Sequence, residues 1–176
     1  MDINGTQRIE APRSIVWAAL NDPDVLRQCI PGCESLEKIS DTEMTAKVVL
    51  KVGPVKASFS GKVTLSDIDP PNGYTITGEG SGGAAGFAKG SAKVRLQDDG
   101  NATILAYDAK ADIGGKLAQL GGRLLEGTAK KLAAEFFAKF GQVVAPPAAP
   151  AAAGESAPDA AEKPGWLRSM VNKVSG

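Results

Sequence analysis

The sequence predicts an α+β domain in which an antiparallel sheet packs against one long C-terminal helix. Between Glu34 and Asp112, apolar and polar residues alternate with the period of two that is typical of strands. Between Gly114 and Phe140 the apolar residues recur with the period of an amphipathic helix instead. Short connections rich in Gly, Pro, Asn and Asp join the strand candidates, so neighbouring strands are expected to run antiparallel.

The N-terminal residues indicate one short strand and two short helices. Residues 2–10 are a weak strand candidate, and Pro12 suits the first turn of a following helix. The inner stripe predicted for this helix consists of Ile15, Val16, Ala19 and Leu20. Asp22 followed by Pro23 predicts a second helix with an N-cap and a proline at its first position. That helix is expected to end at residues 30–32, Ile-Pro-Gly, because proline cannot continue it.

The middle of the chain is predicted to form a meander of strands. The candidates are residues 34–40, 43–52, 55–67, 73–80, 87–97 and 102–112. The third candidate shows the alternation best, with lysines, serines and threonines on its solvent side. Its inward side consists of Val55, Ala57, Phe59, Gly61, Val63 and Leu65.

The stretch Gly114–Phe140, GGKLAQLGGRLLEGTAKKLAAEFFAKF, is predicted to form a single long amphipathic helix. Its apolar side carries Leu117, Leu120, Leu124, Leu125 and Leu132. Three glycines lie inside it, although each interior glycine costs roughly 1 kcal/mol relative to alanine. Small residues on the leucine side, Gly121 and Thr128, either let the sheet approach closely or leave space between helix and sheet.

The composition excludes several classes of function. Twenty basic and twenty acidic residues cancel, so no electrostatic footprint for nucleic acid is present. The chain has no histidine, which excludes Ser-His-Asp and Cys-His catalysis. Cys29 and Cys33 alone cannot form an ordinary zinc site, so no metal is expected, and reduced thiols are favoured over a disulfide. Without a signal-peptide core or a membrane-length apolar run, a cytoplasmic protein is expected.

Gly78, Gly80 and Gly83 match the dinucleotide-binding pattern G-x-G-x-x-G. The pattern indicates a nucleotide site only between a strand and a helix, where a helix N-terminus meets the pyrophosphate. Because another strand candidate follows here, a strongly bent hairpin is the favoured interpretation.

Small residues on the inward faces of the strands predict a cavity between sheet and helix. The small inward residues are Ala57, Gly61, Gly78, Ala92 and Ala109. A cavity of this kind typically holds an apolar ligand. The predicted lining residues are Phe59, Tyr74, Phe87, Tyr107, Leu117, Leu120, Gly121, Leu124 and Thr128. The alternative is a tightly packed core of small residues.

The composition changes at Ala145, where a Pro/Ala-rich stretch without core-forming residues begins. We therefore predict a domain over residues 1–141, a linker over 142–164 and a short amphipathic helix over 165–176. This last segment has an apolar arc beside two basic residues, which is typical of segments that bind a membrane surface or a partner. The residues predicted to bind are Trp166, Leu167, Arg168, Met170, Val171, Lys173 and Val174.

Two stretches, APRSIVWAALNDPDVLRQCIPGCESLE and GGKLAQLGGRLLEGTAKKLAAEFFAKF, resemble the CoxG family of carbon monoxide dehydrogenase subunits. That family belongs to the START-like (SRPBCC, polyketide-cyclase-like) helix-grip superfamily, and the resemblance covers about residues 1–140. It implies an antiparallel sheet that grips a long C-terminal helix over a deep apolar cavity. It also implies an accessory protein that links a molybdenum-flavin carbon monoxide dehydrogenase to the membrane and its quinone pool.

The resulting hypothesis is a non-enzymatic protein at the inner face of the cytoplasmic membrane. Its expected ligand is menaquinone or a similar isoprenoid quinone, whose carbonyls Tyr74, Tyr107 or Thr128 could bind through their hydroxyls. Two alternatives stay open: a structural recruitment adaptor or assembly factor with an unused cavity, and a small cyclase or hydratase. An enzyme needs a titratable group with a shifted pKa in the pocket, and the sequence offers no candidate.

Overall fold

Strands, two short helices and one long helix follow each other in a computed structural model that describes residues 1–145. The elements are β1 (Asp2–Ile9), α1 (Arg13–Leu20), α2 (Pro23–Cys29), β2 (Cys33–Lys38), β3 (Glu43–Val52), β4 (Val55–Asp69), β5 (Gly73–Ser81), β6 (Phe87–Asp99), β7 (Ala102–Gly114) and α3 (Gly122–Val144). Two 3₁₀ helices, Gly83–Ala85 and Gly115–Leu120, precede β6 and α3.

The seven strands form one antiparallel sheet in the order β1-β7-β6-β5-β4-β3-β2. The α+β class and every predicted strand are therefore confirmed, with ends that differ by one or two residues. Residues on β4 alternate as predicted, because Phe59, Gly61 and Val63 are partly buried while Ser60 and Lys62 are more exposed. The concave face of the sheet receives α3, and α1 and α2 lie at one end of it.

The two short helices begin and end for local chemical reasons. The side chain of Asp22 accepts a hydrogen bond from the backbone N–H of Asp24 at 2.9 Å, so the predicted N-cap of α2 is confirmed. On α1, Val16, Ala19 and Leu20 are buried, but Ile15 is 49% exposed, contrary to the prediction. Ile15 lies about 100° around the helix from Val16, which places it outside the buried arc.

The main core lies at the end of the sheet where α1 and α2 meet α3. Phe140 of α3 is 0% exposed there, Val16 of α1 is also 0% exposed, and Leu105 of β7 is 1% exposed. Thr103 is the buried polar residue of this region, and its hydroxyl donates to the carbonyl of Ala11 at 2.8 Å. This bond satisfies a group that would otherwise be costly to bury.

The predicted single helix from Gly114 to Phe140 is wrong at both ends. Gly115–Leu120 is a 3₁₀ helix, and Gly121 has φ +91°, so α3 begins only at Gly122. Glycine adopts this φ without steric cost, which makes the Gly121-Gly122 pair a break and not a flexible point inside a helix. α3 then continues to Val144, so residues 142–144 are helical and not part of a linker.

The remaining linker residues and the predicted amphipathic segment at 165–176 lie outside the described residues. Among residues 1–145, no helix is both long enough and apolar enough to span a membrane.

Candidate functional site

The space between α3 and the sheet contains two apolar chambers. The first, here called the inner chamber, lies beside α1 and α2 and has a volume of about 310 Å³. The second, the outer chamber, lies at the opposite end of α3 and has a volume of about 250 Å³. Since both fall near the lower end of the roughly 300–1,000 Å³ found for small-molecule sites, each accommodates a compact apolar group.

The inner chamber is lined by branched aliphatic and aromatic side chains. Its residues are Leu20, Leu26, Ile30, Leu36, Met44, Ala46, Val63, Leu65, Tyr74, Ile76, Ala92, Val94, Leu105, Tyr107, Ala133, Phe136 and Phe137. The ring of Tyr107 stacks on that of Phe137, with centroids 5.6 Å apart and an interplanar angle of 23°. Phe136 meets Phe137 edge to face at 5.1 Å. Flat aromatic surface is therefore concentrated in this chamber.

The two tyrosine hydroxyls of the inner chamber differ in their partners. The hydroxyl of Tyr74 donates to the carbonyl of Leu20 at 3.4 Å, and its ring lies 5.2 Å from that of Trp17. Burial raises the pKa of Tyr74 well above its usual range, so this phenol stays protonated at neutral pH. The Tyr107 hydroxyl forms no hydrogen bond to another residue of the described chain. It lies over Gly5 of β1, where an added Cβ atom would be 2.9 Å from the hydroxyl oxygen.

The outer chamber is lined mainly by aliphatic side chains. Its residues are Met1, Leu50, Val52, Phe59, Gly80, Ala88, Ile113, Leu117, Leu125, Thr128, Ala129 and Leu132. Thr128 supplies the side-chain hydroxyl of this lining. Met1 lines the chamber and is also 38% exposed, so the chamber reaches the surface beside it.

Small residues of the sheet lie between the two chambers and line an open groove there. A third hollow of about 450 Å³ shares Ala46 and Ile76 with the inner chamber and Gly80 and Ala88 with the outer one. Gly61 is required by close approach of the strands, because a Cβ atom there would lie 2.7 Å from the carbonyl oxygen of Glu79. The structure thus contains cavities at the small inward residues, and the alternative of a tightly packed small-residue core is excluded there.

Five of the nine predicted lining residues lie in the chambers. Phe59, Leu117 and Thr128 line the outer chamber, while Tyr74 and Tyr107 line the inner one. Ligand binding by these side chains stays a prediction.

The other four predicted lining residues lie elsewhere. Phe87 is on the opposite face of the sheet, where it is 46% exposed and covers Gly114, because it shares the outward phase of Ser81. Leu124 is 40% exposed, and a Cβ atom on Gly53 would lie 3.0 Å from its Cδ2 atom. Leu120 and Gly121 belong to the 3₁₀ helix and the break that precede α3, so a single helical wheel misplaces them.

The prediction also missed residues on α3 that line the chambers. Leu125, Ala129, Leu132 and Phe136 recur at intervals of three and four residues, and all four face the chambers. This spacing is visible in the sequence once α3 is taken to begin at Gly122. Ile30 and Leu36, which flank the turn after α2, carry no comparable periodic signal.

The structure also shows the conformation of the glycine pattern after β5 and the state of the two cysteines. Gly83 begins a 3₁₀ turn between β5 and β6, so the pattern forms a bent hairpin and not a strand-to-helix turn. Cys29 and Cys33 are free thiols, and Cys33 donates to the carbonyl of Ser35 at 3.3 Å. Burial raises the pKa of both thiols, which keeps them protonated and unreactive at neutral pH.

A larger hollow of about 890 Å³ lies on the opposite face of the sheet, across β2 to β6. Its lining consists mostly of serines, threonines and charged residues, including Lys62, which pairs with Glu43 at 3.6 Å. This surface is polar, so the two apolar chambers are the candidate site despite their smaller volume.

Comparison with known proteins agrees with this geometry. The model of the CoxG family of carbon monoxide dehydrogenase subunits matches residues 5–145. A conserved protein from Geobacillus kaustophilus has a similar structure, with TM-score 0.78 and 33% identity over 82% of this chain and 95% of that one. No protein of curated function is similar enough to the chain to count as a match.

Two more distant structures establish the fold alone. A START superfamily protein from Mycobacterium smegmatis has TM-score 0.63 and 12% identity over 81% of this chain and 96% of that one. The Zhui aromatase/cyclase from Streptomyces sp. R1128 has TM-score 0.57 and 14% identity over 82% and 93%. The fold is therefore START-like, as the sequence resemblance implied.

Proposed function

Because the chain belongs to the CoxG family, we propose that it binds an isoprenoid quinone, most simply menaquinone, for a molybdenum-containing carbon monoxide dehydrogenase. In this proposal the protein is a non-enzymatic accessory protein. It links the dehydrogenase to the membrane respiratory chain from the inner face of the cytoplasmic membrane. Oxidation and reduction occur on the quinone itself, so the protein has to bind and orient it and need not supply a catalytic group.

The main support for the proposal is that the two chambers differ in the same way as the two parts of a prenylated quinone, which has a flat ring and an aliphatic prenyl chain. The inner chamber offers the stacked rings of Tyr107 and Phe137 to a flat quinone ring. The outer chamber offers aliphatic walls to a prenyl chain. The open groove of about 450 Å³ between the chambers leaves room for the bond between ring and chain.

Hydrogen bonding supports one orientation of the quinone. The Tyr107 hydroxyl has no hydrogen-bond partner among residues 1–145, and in this proposal it donates to a quinone carbonyl that reaches the side of the inner chamber next to Gly5. The Tyr74 hydroxyl is already bonded to the carbonyl of Leu20. With the ring beside Tyr107, the prenyl chain leads past Thr128 and leaves the protein near Met1. Two small chambers hold the ring and the first prenyl units, and a longer chain extends outside.

A fluorescence titration tests the proposal. Trp17 lies 5.2 Å from Tyr74, which lines the inner chamber, so a bound quinone should quench its fluorescence. Trp166 is the other tryptophan, and a Trp166→Phe background leaves Trp17 as the single reporter. Tyr107→Phe should weaken binding of a naphthoquinone about tenfold, the loss of one hydrogen bond of about 1.4 kcal/mol. Tyr74→Phe is the matched control and should change the affinity little.

Mass spectrometry of solvent extracts addresses the natural ligand. Protein purified gently from its native host should release a prenylated quinone in near-stoichiometric amount. If the extract contains none and the purified protein does not quench with a naphthoquinone, the chamber is unused, and a structural adaptor is the better interpretation.

The predicted segment at residues 165–176 supplies the membrane half of the proposal. Its apolar arc and two basic residues favour weak, reversible binding to anionic lipid. Deletion of these residues should reduce sedimentation with anionic vesicles and leave naphthoquinone quenching unchanged. Equal sedimentation of the truncated and intact chains would show that this segment is not a membrane anchor and favour docking on the dehydrogenase.

A further inference from the structure

Three segments surround the outer chamber and contain no acidic residue, although Glu79, Asp112 and Glu126 directly flank them. They are residues 50–58 at the β3–β4 hairpin, 80–89 at the β5–β6 hairpin, and 113–125 at the start of α3. Each contributes to the lining of the outer chamber, which establishes that they lie together. We call this surface the basic end. Its charged residues are Lys51, Lys56, Lys89, Lys116 and Arg123.

None of these five cations forms a salt bridge within the described part of the chain, but two of them have an acidic residue near them. Lys89 is opposite Glu79 on β5 and Asp112 on β7, so its charge has neighbours of opposite sign. Glu126 follows Arg123 by three residues on α3, whereas the three segments place no acidic residue beside Lys51, Lys56 or Lys116. A chain with equal numbers of acidic and basic residues thus has a local excess of positive charge at one end.

The β3–β4 hairpin shows that this excess has an energetic cost. Lys51 and Lys56 are direct cross-strand partners, and both are exposed. Like charges directly opposite each other on neighbouring strands destabilise a sheet. An anionic surface placed against the hairpin removes this cost, because it supplies the negative charge that the fold lacks.

Exposed apolar side chains accompany the cations. Leu124 is 40% exposed and contacts the turn of the same hairpin at Gly53, and Phe87 on the neighbouring hairpin is 46% exposed. Cations mixed with exposed apolar side chains fit the interface of a bilayer, where headgroups are anionic and the layer beneath them is apolar.

We infer that the basic end is a second membrane-contact surface, which places the outer chamber against anionic phospholipid headgroups. Its contact residues are Lys51, Lys56, Lys116, Arg123, Phe87 and Leu124. The choice of a bilayer, rather than an acidic protein, rests on the proposed function, because an apolar ligand would enter the outer chamber from a bilayer. This surface belongs to the folded residues and is independent of the segment at 165–176.

Vesicle binding by the full-length chain tests the inference. The test variant is Lys51→Gln/Lys56→Gln. The matched control, Lys38→Gln/Lys93→Gln, removes the same charge from exposed strand lysines near the inner chamber. Each lysine near an anionic surface contributes about fivefold in affinity, so the test variant should bind phosphatidylglycerol vesicles about 25-fold more weakly. The control pair should stay within about threefold of the parent chain, because charges more than a Debye length away are screened.

The background for both variants carries Trp166→Ser and Met170→Ser, which weakens the predicted anchor in the intact chain. Naphthoquinone quenching of Trp17 without vesicles is measured in parallel and should be the same in both variants. Equal vesicle affinity of the test variant and its parent would overturn the inference. So would an equal loss in the control pair, or binding to neutral phosphatidylcholine as tight as to phosphatidylglycerol. A parent chain that binds vesicles but never quenches would instead refute the proposed function and leave the contact surface standing.

Discussion

The two ends of the space beneath α3 are built from different residues. At the inner end, bulky side chains from three helices and the sheet meet, and Phe140, Val16 and Leu105 are at most 1% exposed. At the outer end, hairpin turns, a 3₁₀ helix and a glycine break surround a chamber that reaches the surface. Burial is therefore concentrated at one end of the space, while the chamber at the other end is open to the surface.

Charge follows the same division. The element ends at the inner end carry a group of aspartates: Asp22, Asp24, Asp67, Asp69, Asp98 and Asp99. Arginines form salt bridges with two of them: Arg8 pairs with Asp99, and Arg13 pairs with Asp98 at 3.3 Å. Within the described residues, the cations of the basic end form no salt bridge of this kind. If the basic end contacts an anionic membrane, as inferred above, its local excess of positive charge favours an orientation with the outer chamber toward the headgroups.

Removal of a core side chain at the inner end should have the largest effect on the free energy of unfolding. Phe140 is 0% exposed and stacks on Phe136 with centroids 5.6 Å apart. Phe140→Ala should lower the free energy of unfolding by about 3–5 kcal/mol, because it leaves a cavity in a packed core. Leu124→Ala at the outer end should cost less than about 1 kcal/mol, since Leu124 is 40% exposed. Urea unfolding followed by circular dichroism measures both, and equal losses would contradict the division of stability.

The next effect tests the glycine break at the outer end. Gly121 has φ +91° and ψ 151°, a region that residues with a Cβ atom occupy at a cost of about 1–3 kcal/mol. Gly121→Ala should therefore destabilise the protein by about that amount, although a Cβ atom would meet nothing within 4 Å.

Gly127 provides the matched control for this backbone effect. It lies inside α3, also with nothing within 4 Å of an added Cβ atom, so Gly127→Ala should stabilise the protein by up to about 1 kcal/mol. Thermal unfolding of the two variants gives the sign directly. A stabilised Gly121→Ala variant would mean that the helix is continuous from the 3₁₀ segment into α3.

The sequence predicts most of the fold because alternation along a strand is a local signal. β4 illustrates this, since its inward residues differ from its outward ones at nearly every position. The start of α3 could not be predicted in the same way. A leucine period continues through Gly121 and Gly122, and a helical wheel does not represent a backbone that turns at positive φ.

The site was only partly predictable, because the chambers depend on which faces meet in space. Tyr74 and Tyr107 have the inward phase of their strands, so strand periodicity predicts their place in the cavity correctly. Phe87 is five residues from the inward Ala92, so a period of two places it on the outward face, and its predicted place in the cavity rested on its aromatic character instead. Aromatic character alone does not reveal the phase of a strand.

A charge reversal in the β3–β4 hairpin should have the smallest effect on stability, and it tests whether stability and membrane contact change independently. Lys51→Glu places a carboxylate directly opposite Lys56 and replaces a repulsive pair with an attractive one. Cross-strand pairs of opposite charge contribute about 0.2–1 kcal/mol, so this variant should unfold at a slightly higher urea concentration than the parent. The same change should weaken binding to anionic vesicles, since it removes one positive charge and adds one negative charge at the basic end.

A double-mutant cycle isolates the pair from other effects of each substitution. Lys56→Glu alone should also stabilise the hairpin, whereas Lys51→Glu/Lys56→Glu restores a like-charge pair and should lose the gain. Vesicle affinity should instead fall further in the double variant, because it depends on total charge and not on pairing. If stability and vesicle affinity rise and fall together across the four proteins, the two lysines serve the fold. Opposite changes would show that the hairpin gives up stability to keep a positive surface at the outer chamber.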